Sequence, residues 1–288
     1  MTVARSPREL EPAERAVAIG TFDGVHRGHA AVVEAARGTG LRSAVVTFDP
    51  HPRQVLGHGV ELLTTFERRV ELLAGLGPDD VLVVEFTPEL SQLEPEEFVA
   101  SVLEPLGTRI IVSGEDFRFG RGRRGDVELL RRLGLDVRPV PLVAGVSSSR
   151  IRELLRAGDV AGAARLLGRP PELEGVVVPG DRRGATLGFP TANLEVAPDL
   201  LVPAHGIYAG AALGRRAGIS IGLNPHFGGV ERRVEAFLLD FDGDLYGQPI
   251  RLELWERLRD ERTFASEEEL VAQIGRDVDA ARTAVRPI

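Results

Sequence analysis

The sequence contains neither cysteine nor lysine. The first absence excludes disulfides, a thiolate nucleophile and Cys-ligated zinc. The second makes every one of the 35 basic residues an arginine. A P-loop needs its lysine, a protein kinase its strand lysine, and PLP chemistry a Schiff-base lysine. Phosphate chemistry in this chain must therefore rest on arginine, histidine, backbone amides and metal. Long apolar runs are missing as well, since nothing approaches the roughly 18 residues of a membrane span. Residues 1–14 carry Arg5, Arg8, Glu9, Glu11 and Glu14 without an apolar run. No signal peptide and no membrane partner are expected, and the expected location is the cytoplasm. Positive charge is not in excess either: the net charge of −8 speaks against a general nucleic-acid binder.

The length of 288 residues suits two domains, and 43% hydrophobic with 27% charged residues suits a globular chain. In the first half, apolar runs at 16–20, 43–48, 80–86, 109–113 and 136–143 read as strands. Helical patterns at 30–36, 66–74, 95–103 and 126–133 lie between them. The spacing of Thr64 and Glu67 predicts a capping box at the second helix. This alternation predicts βαβ units around a parallel sheet, with ligands beyond the carboxyl ends of its strands. Helices at 148–157 and 160–167 follow. Gly168-Arg169-Pro170-Pro171 then breaks the pattern, which puts the domain boundary near residue 170. Beyond it, Gly and Pro punctuate period-two runs such as 233–240 and 250–255, and only 266–284 is helical. The expectation is an α/β domain over 1–170 and an antiparallel β-barrel with a terminal helix over 171–288.

The chemistry-bearing motifs fall just after strands. Gly20-Thr21-Phe22-Asp23-Gly24-Val25-His26-Arg27-Gly28-His29 joins the first strand to a helix start, where free amides face an anion. His26 and His29 can both reach one phosphate there, and Gly28 lets the backbone come close. Nucleotidyl transfer depends on such positioning and charge neutralisation. Read by itself, the stretch is equally a helix cap with surface histidines. Val146-Ser147-Ser148-Ser149-Arg150-Ile151-Arg152 offers hydroxyls, helix amides and an arginine for distal phosphates, or simply a serine-rich cap. In the second half, Gly180 to Asn193 contains three glycines, Gly180, Gly184 and Gly188, followed by Phe189-Pro190-Thr191-Ala192-Asn193. Such a loop can wrap phosphates without lysine, and the oxygens of Thr191 and Asn193 suit Mg²⁺ and ATP. The alternative is an ordinary Gly-rich hairpin. Glu235 shares a strand face with Phe237, a setting for a general base or for an ion pair with Arg232 or Arg233. Asp240 to Gly247 lacks the later ligands of a calcium loop and reads as a hairpin.

These motifs resemble the bacterial bifunctional riboflavin kinase/FMN adenylyltransferase family over nearly the whole chain. Thr47-Phe48-Asp49-Pro50-His51-Pro52 and Gly114-Glu115-Asp116-Phe117-Arg118-Phe119-Gly120, closed by Gly125-Asp126, strengthen the resemblance, as does Pro190-Thr191-Ala192-Asn193. The resemblance implies a Rossmann-like nucleotidylyltransferase domain followed by a riboflavin kinase barrel, with ATP, riboflavin and FMN as substrates and Mg²⁺ as cofactor. It implies His26 and His29 at the α-phosphate, with Gly20, Phe22 and Gly28 around ATP. Ser148, Ser149 and Arg152 would take the distal phosphates, and Phe48, Pro50, His51, Asp116 and Phe119 the FMN and adenosine side. In the kinase half, Gly180, Gly184, Thr191 and Asn193 would bind nucleotide and metal, and Glu235 would be the base. Ser149, Leu223 and His226 stand where the family usually has threonine. Two other readings are a chain with only the adenylyltransferase site alive and a flavin-binding protein without chemistry.

Overall fold

The computed structural model describes the chain apart from residues 181–183, 185–186 and 227–228, and only the backbone of 224–226 and 229–232. Five residues of the predicted Gly-rich loop and the His226 side chain therefore lie outside the described residues. The chain forms two compact units, one of residues 1–61 and 65–146, the other of 62–64 and 147–288.

The first unit is a parallel sheet of β1 (Thr2–Ala4), β2 (Arg15–Ile19), β3 (Arg42–Asp49), β4 (Asp80–Glu85), β5 (Thr108–Gly114) and β6 (Asp136–Val140). The spatial order is β1-β4-β3-β2-β5-β6, and every pairing is parallel. Every residue of β2 is buried, as a continuous apolar run covered on both faces requires. One face carries Val17, Val46, Leu82 and Ile111 against Phe98, Leu103 and Leu130. The other carries Ala18, Val45, Val83 and Val112 against Val33, Ala36 and Leu73. β6 contains Pro139 and stops before Pro141, which suits an edge strand that needs fewer donors. The helices are α1 (Arg27–Arg37), α2 (Pro52–Val55), α3 (Phe66–Gly75), α4 (Pro88–Ser91), α5 (Pro95–Phe98) and α6 (Val127–Arg132). Since β3 and β5 flank β2 on opposite sides, the strand order reverses there. The crevice beyond the carboxyl ends of β2, β3 and β5 is thus the expected ligand position.

The second unit opens with α7 (Ser148–Arg156) and α8 (Val160–Leu167). A closed barrel follows: β7 (Glu172–Val178), β8 (Ala192–Glu195), β9 (Gly206–Ala212), β10 (Arg215–His226), β11 (Gly229–Leu238) and β12 (Pro249–Arg259). Its order around the barrel is β10-β11-β8-β7-β12-β9, and all pairings are antiparallel. Val234, Ala236 and Leu238 point into a core shared with Leu194, Ile219, Leu252 and Leu254. The C-terminal α9 (Glu267–Thr283) is capped by Ser266, with three glutamates in its first turn to favour the helix dipole. It lays Ala281 and Ala284 against Trp255 and Ala209.

Several expectations are revised. The helices α7 and α8 bury Ile151, Leu155, Val160 and Ala163 in the barrel unit's core, so by packing they group with the barrel. The cap of α3 is Thr65, whose hydroxyl accepts from Arg68 N at 3.1 Å, not Thr64. The predicted helix at 95–103 turns π-helical over Val99–Leu103. The stretch from Asp240 to Gly247 is no hairpin, because β12 pairs with β7 and β9 and not with β11.

Candidate active sites

In the first unit, β2 ends in a turn in which Phe22 (φ 52°) and Val25 (φ 38°) are left-handed without being glycine. A β-branched residue there is a real outlier, of the kind a functional loop retains. The turn delivers His26 to the N-cap of α1, a position usually held by Ser, Thr, Asp or Asn. Its Nδ1 accepts the His29 amide at 3.2 Å, while His29 Nδ1 accepts the His26 amide at 3.4 Å. The two rings stack at 3.6 Å with an interplanar angle of 13°. Phe22 closes edge-on against His29 at 5.1 Å.

This reciprocal cap fixes chemistry as well as structure. An Nδ1 that accepts a bond carries no proton, so each neutral ring holds its hydrogen on Nε2. Burial and the neighbouring His26 ring hold His29 well below its ordinary pKa of 6.5. His29 is therefore a neutral Nε2–H donor at physiological pH. No acidic residue occupies the first turn of α1 to compete for the amides or repel an anion. Gly28 packs closely under the His26 ring, where a Cβ would lie 3.2 Å from it.

Beside this loop, β3 ends in Phe48 and Asp49, and His51 caps the short α2 through Nδ1, which accepts from Arg53 N at 3.1 Å. Pro50 is exposed and Phe48 half-buried. After β5, Asp116 is exposed, and Phe119 bridges to Gly125 through both backbone bonds. The Phe119 ring is 8% exposed and sits between Phe117 and Phe98. It belongs to the core of this unit.

Sequence reasoning passed over Arg69 on α3. Its guanidinium is 4% exposed and donates to Thr21 O at 3.2 Å and to Phe48 O at 2.9 Å. The signal was present: Phe66, Arg69 and Leu73 follow the spacing of the helix's inward stripe, and an arginine on such a stripe calls for a partner.

In the second unit, Asn193 of β8 and Glu235 of β11 are direct partners in the antiparallel register, and Ser220 of β10 opposes Glu235 from the other side. Directly opposed side chains have Cβ atoms about 4.5–5.5 Å apart, so the amide and the carboxylate stand together on the barrel's outer face. Thr191 lies two residues before Asn193. Asn193 Oδ1 is buried with no hydrogen-bond partner. Gly180 packs on the same amide, since a Cβ would lie 2.2 Å from Asn193 Nδ2. Gly184 sits equally close to the chain, a Cβ there reaching 2.3 Å from Phe189 O. Glu235 contacts Arg233 Nε at 3.3 Å, so the ion pair weighed from the sequence is formed. Phe189 and Phe237 meet edge to face at 5.5 Å on this side of the barrel.

The remaining predicted residues lie on α7, where Ser147 and not Ser148 is the cap, accepting from Arg150 N at 3.1 Å. Ser148 and Ser149 open the helix, and Arg152 is buried one turn further on. By packing these three belong to the second unit.

Stacked imidazoles at a helix start beyond a parallel sheet, and oxygen donors beside a carboxylate on a barrel, define a protein that handles phosphoryl groups at two places. Comparison with known proteins agrees. Residues 9–150 match the FAD synthetase family and residues 167–285 the riboflavin kinase family. A bifunctional riboflavin kinase/FMN adenylyltransferase of Listeria monocytogenes is 36% identical, over 93% of this chain and 91% of that protein. The Escherichia coli K12 protein of the same name is 37% identical, over 92% and 90%. A solved structure described as a macrolide-efflux protein from Streptococcus pneumoniae has a TM-score of 0.89 at 30% identity, covering 98% of this chain and 99% of that one. Among the described residues, no helix is long and apolar enough to cross a membrane. The chain belongs to the bifunctional riboflavin kinase/FMN adenylyltransferase family.

Proposed function

We infer that the chain phosphorylates riboflavin to FMN and adenylylates FMN to FAD, one reaction in each half. The observation that carries this reading is the presence of two separate phosphate-directed sets. One is the histidine cap of α1; the other is Asn193 in register with Glu235. A flavin carrier without chemistry has no use for either set. The proposed division follows the motifs, with adenylyl transfer in residues 1–170 and phosphorylation in 171–288.

In the first reaction, a phosphate oxygen of FMN attacks the α-phosphorus of ATP. The bond to the β-phosphate breaks and pyrophosphate leaves. His26 and neutral His29 donate Nε2–H to the α-phosphate oxygens as negative charge builds on them, assisted by the amides of α1. Gly20, Phe22 and Gly28 shape the loop, and Phe48, Pro50, His51, Asp116 and Phe119 form the FMN and adenosine side. Ser148, Ser149 and Arg152 take the distal phosphates, a role supported by the family's motif and, for the two serines, by their position at a helix start.

In the second reaction, Glu235 takes the proton of the ribityl hydroxyl, whose oxygen attacks the γ-phosphorus of ATP and releases ADP. Glu235 stands on the same face as Phe237 and Phe189, and Arg233 keeps it in place. Thr191 and Asn193 fit Mg²⁺: the buried Asn193 Oδ1 has no partner among the described residues, and neutral oxygen donors plus phosphates suit this ion. When bound, Mg²⁺ neutralises charge on the transferring phosphoryl group. Gly180 and Gly184 bring the backbone close to the nucleotide.

The test is a product time course with protein, riboflavin, ATP and Mg²⁺. FMN should rise first and FAD follow. FMN alone, or FAD only from supplied FMN, would leave a single live site; neither product would refute the reading.

A further inference from the structure

Arg69 holds a place that the two reactions do not yet use. It is nearly sealed from solvent, and its two terminal nitrogens reach the main chain of two different loops. One is the Thr21 carbonyl in the turn that delivers the histidines; the other is the Phe48 carbonyl at the end of β3. The Thr21 carbonyl also accepts from Thr47 Oγ1 at 3.2 Å, so this carbonyl is held by two side chains from outside the turn. Asp49 lies 3.9 Å from Arg69 Nη2, and Asp23 is buried in the same turn. The Phe66 ring packs at 5.4 Å from Cζ. Nε is buried and has no hydrogen-bond partner. A purely structural arginine at such burial normally satisfies every donor, so the guanidinium is placed for reach and not for saturation.

We propose that Arg69 is a positioning residue for adenylyl transfer, clamping the histidine-bearing turn after β2 to the loop after β3. The proposal rests on the reading of the first unit as the adenylyltransferase. The histidine-bearing turn is irregular backbone with Phe22 and Val25 left-handed, and it relaxes when its carbonyl loses a fixed partner. The fork geometry matters: two carbonyls on separate loops need two coplanar donors at a set angle. A lysine ammonium supplies charge to Asp23 and Asp49 but cannot reproduce that fork. Burial pushes the Arg69 pKa down while Asp23, Asp49 and Glu67 oppose this, and the guanidinium stays charged.

The decisive variant is Arg69→Lys, with Arg69→Met as the harsher form. Misplacing a reacting group by about 1 Å can cost roughly 10²-fold. Arg69→Lys should lower kcat for FMN-to-FAD conversion by about ten- to a hundredfold, with unchanged riboflavin phosphorylation and little change in Tm. Combined with His29→Asn, the loss should be clearly smaller than the product of the two single losses, because both act on the same turn. The inference is overturned if Arg69→Lys makes FAD at the normal rate while the wild type is active. It is equally overturned if both activities fall together with the folded fraction, or if the two losses multiply. A wild type that forms no FAD would instead refute the adenylyltransferase reading itself.

Discussion

The reciprocal histidine cap allows His29's structural and chemical roles to be separated by substitution. In His29→Asn, the side-chain oxygen takes the place of Nδ1 and can still accept the His26 amide, but nothing replaces the Nε2–H. The retained bond is long at 3.4 Å, and a helix cap is worth about 1 kcal/mol, so even its full loss moves Tm by only about 2–4 °C in a domain of this size. Removing one preorganised donor from a developing oxyanion costs far more, about 10²–10³ in kcat. His29→Asn should therefore lose about 10²–10³ in FAD formation while Tm shifts by no more than about 3 °C and riboflavin phosphorylation is unchanged. His29→Gln, whose amide nitrogen falls near Nε2, should lose less activity despite giving up the cap. Steady-state assays with FMN and ATP, and thermal unfolding of the same samples, provide both numbers. Asn and Gln variants with equal activity, or a loss that tracks unfolding, would refute the assignment. The pH dependence has a definite sign. The folded pKa of His29 is depressed from 6.5, so below that pH the unfolded chain binds a proton that the folded one resists. The stabilisation is complete above about pH 6.5 and is lost as pH falls further; His29→Asn should lose less stability on acidification than the wild type.

Two further outcomes concern the barrel. Glu235→Gln should lower kcat for FMN formation by about 10²–10⁴ with FMN-to-FAD conversion intact. The half-exposed pair with Arg233 contributes at most about 1 kcal/mol, so a large drop in Tm would instead mark Glu235 as structural. Asn193→Leu keeps the side chain's shape and removes a buried oxygen that has no partner. It should unfold at the same or a higher temperature while riboflavin phosphorylation needs at least about tenfold more Mg²⁺–ATP; a normal Mg²⁺ requirement would show that Asn193 is no ligand.

The parallel sheet was legible because its strands are apolar on both faces, and the barrel because Val234, Ala236 and Leu238 alternate with Arg233, Glu235 and Phe237. Strand periodicity also forecast Glu235 outside the core, though not its register with Asn193, since pairing depends on a strand 40 residues away in the chain. The packing of α7 and α8 onto the barrel was not legible, because Pro170 and Pro171 are a strong local signal whereas the partner of an amphipathic helix is not local. Ile151, Leu155 and Val160 could face a sheet or a barrel equally well. The segment from Asp240 to Gly247 has hairpin composition, yet barrel closure sends β12 to other neighbours. The histidines were visible as a motif, but their mutual capping depends on the backbone of Phe22 and Val25, residues that composition does not mark as left-handed. Arg69 was hidden among other arginines, and only its helical spacing set it apart.

Mixing His29→Asn with Glu235→Gln in riboflavin, ATP and Mg²⁺ tests most directly whether two independent sites act in sequence within one chain. Alone, His29→Asn should stop at FMN and Glu235→Gln should leave riboflavin unchanged. Together they should accumulate FAD, because FMN released by one protein is finished by the other. A mixture that makes no FAD where the wild type does, or FAD at the wild-type rate from His29→Asn alone, would contradict it.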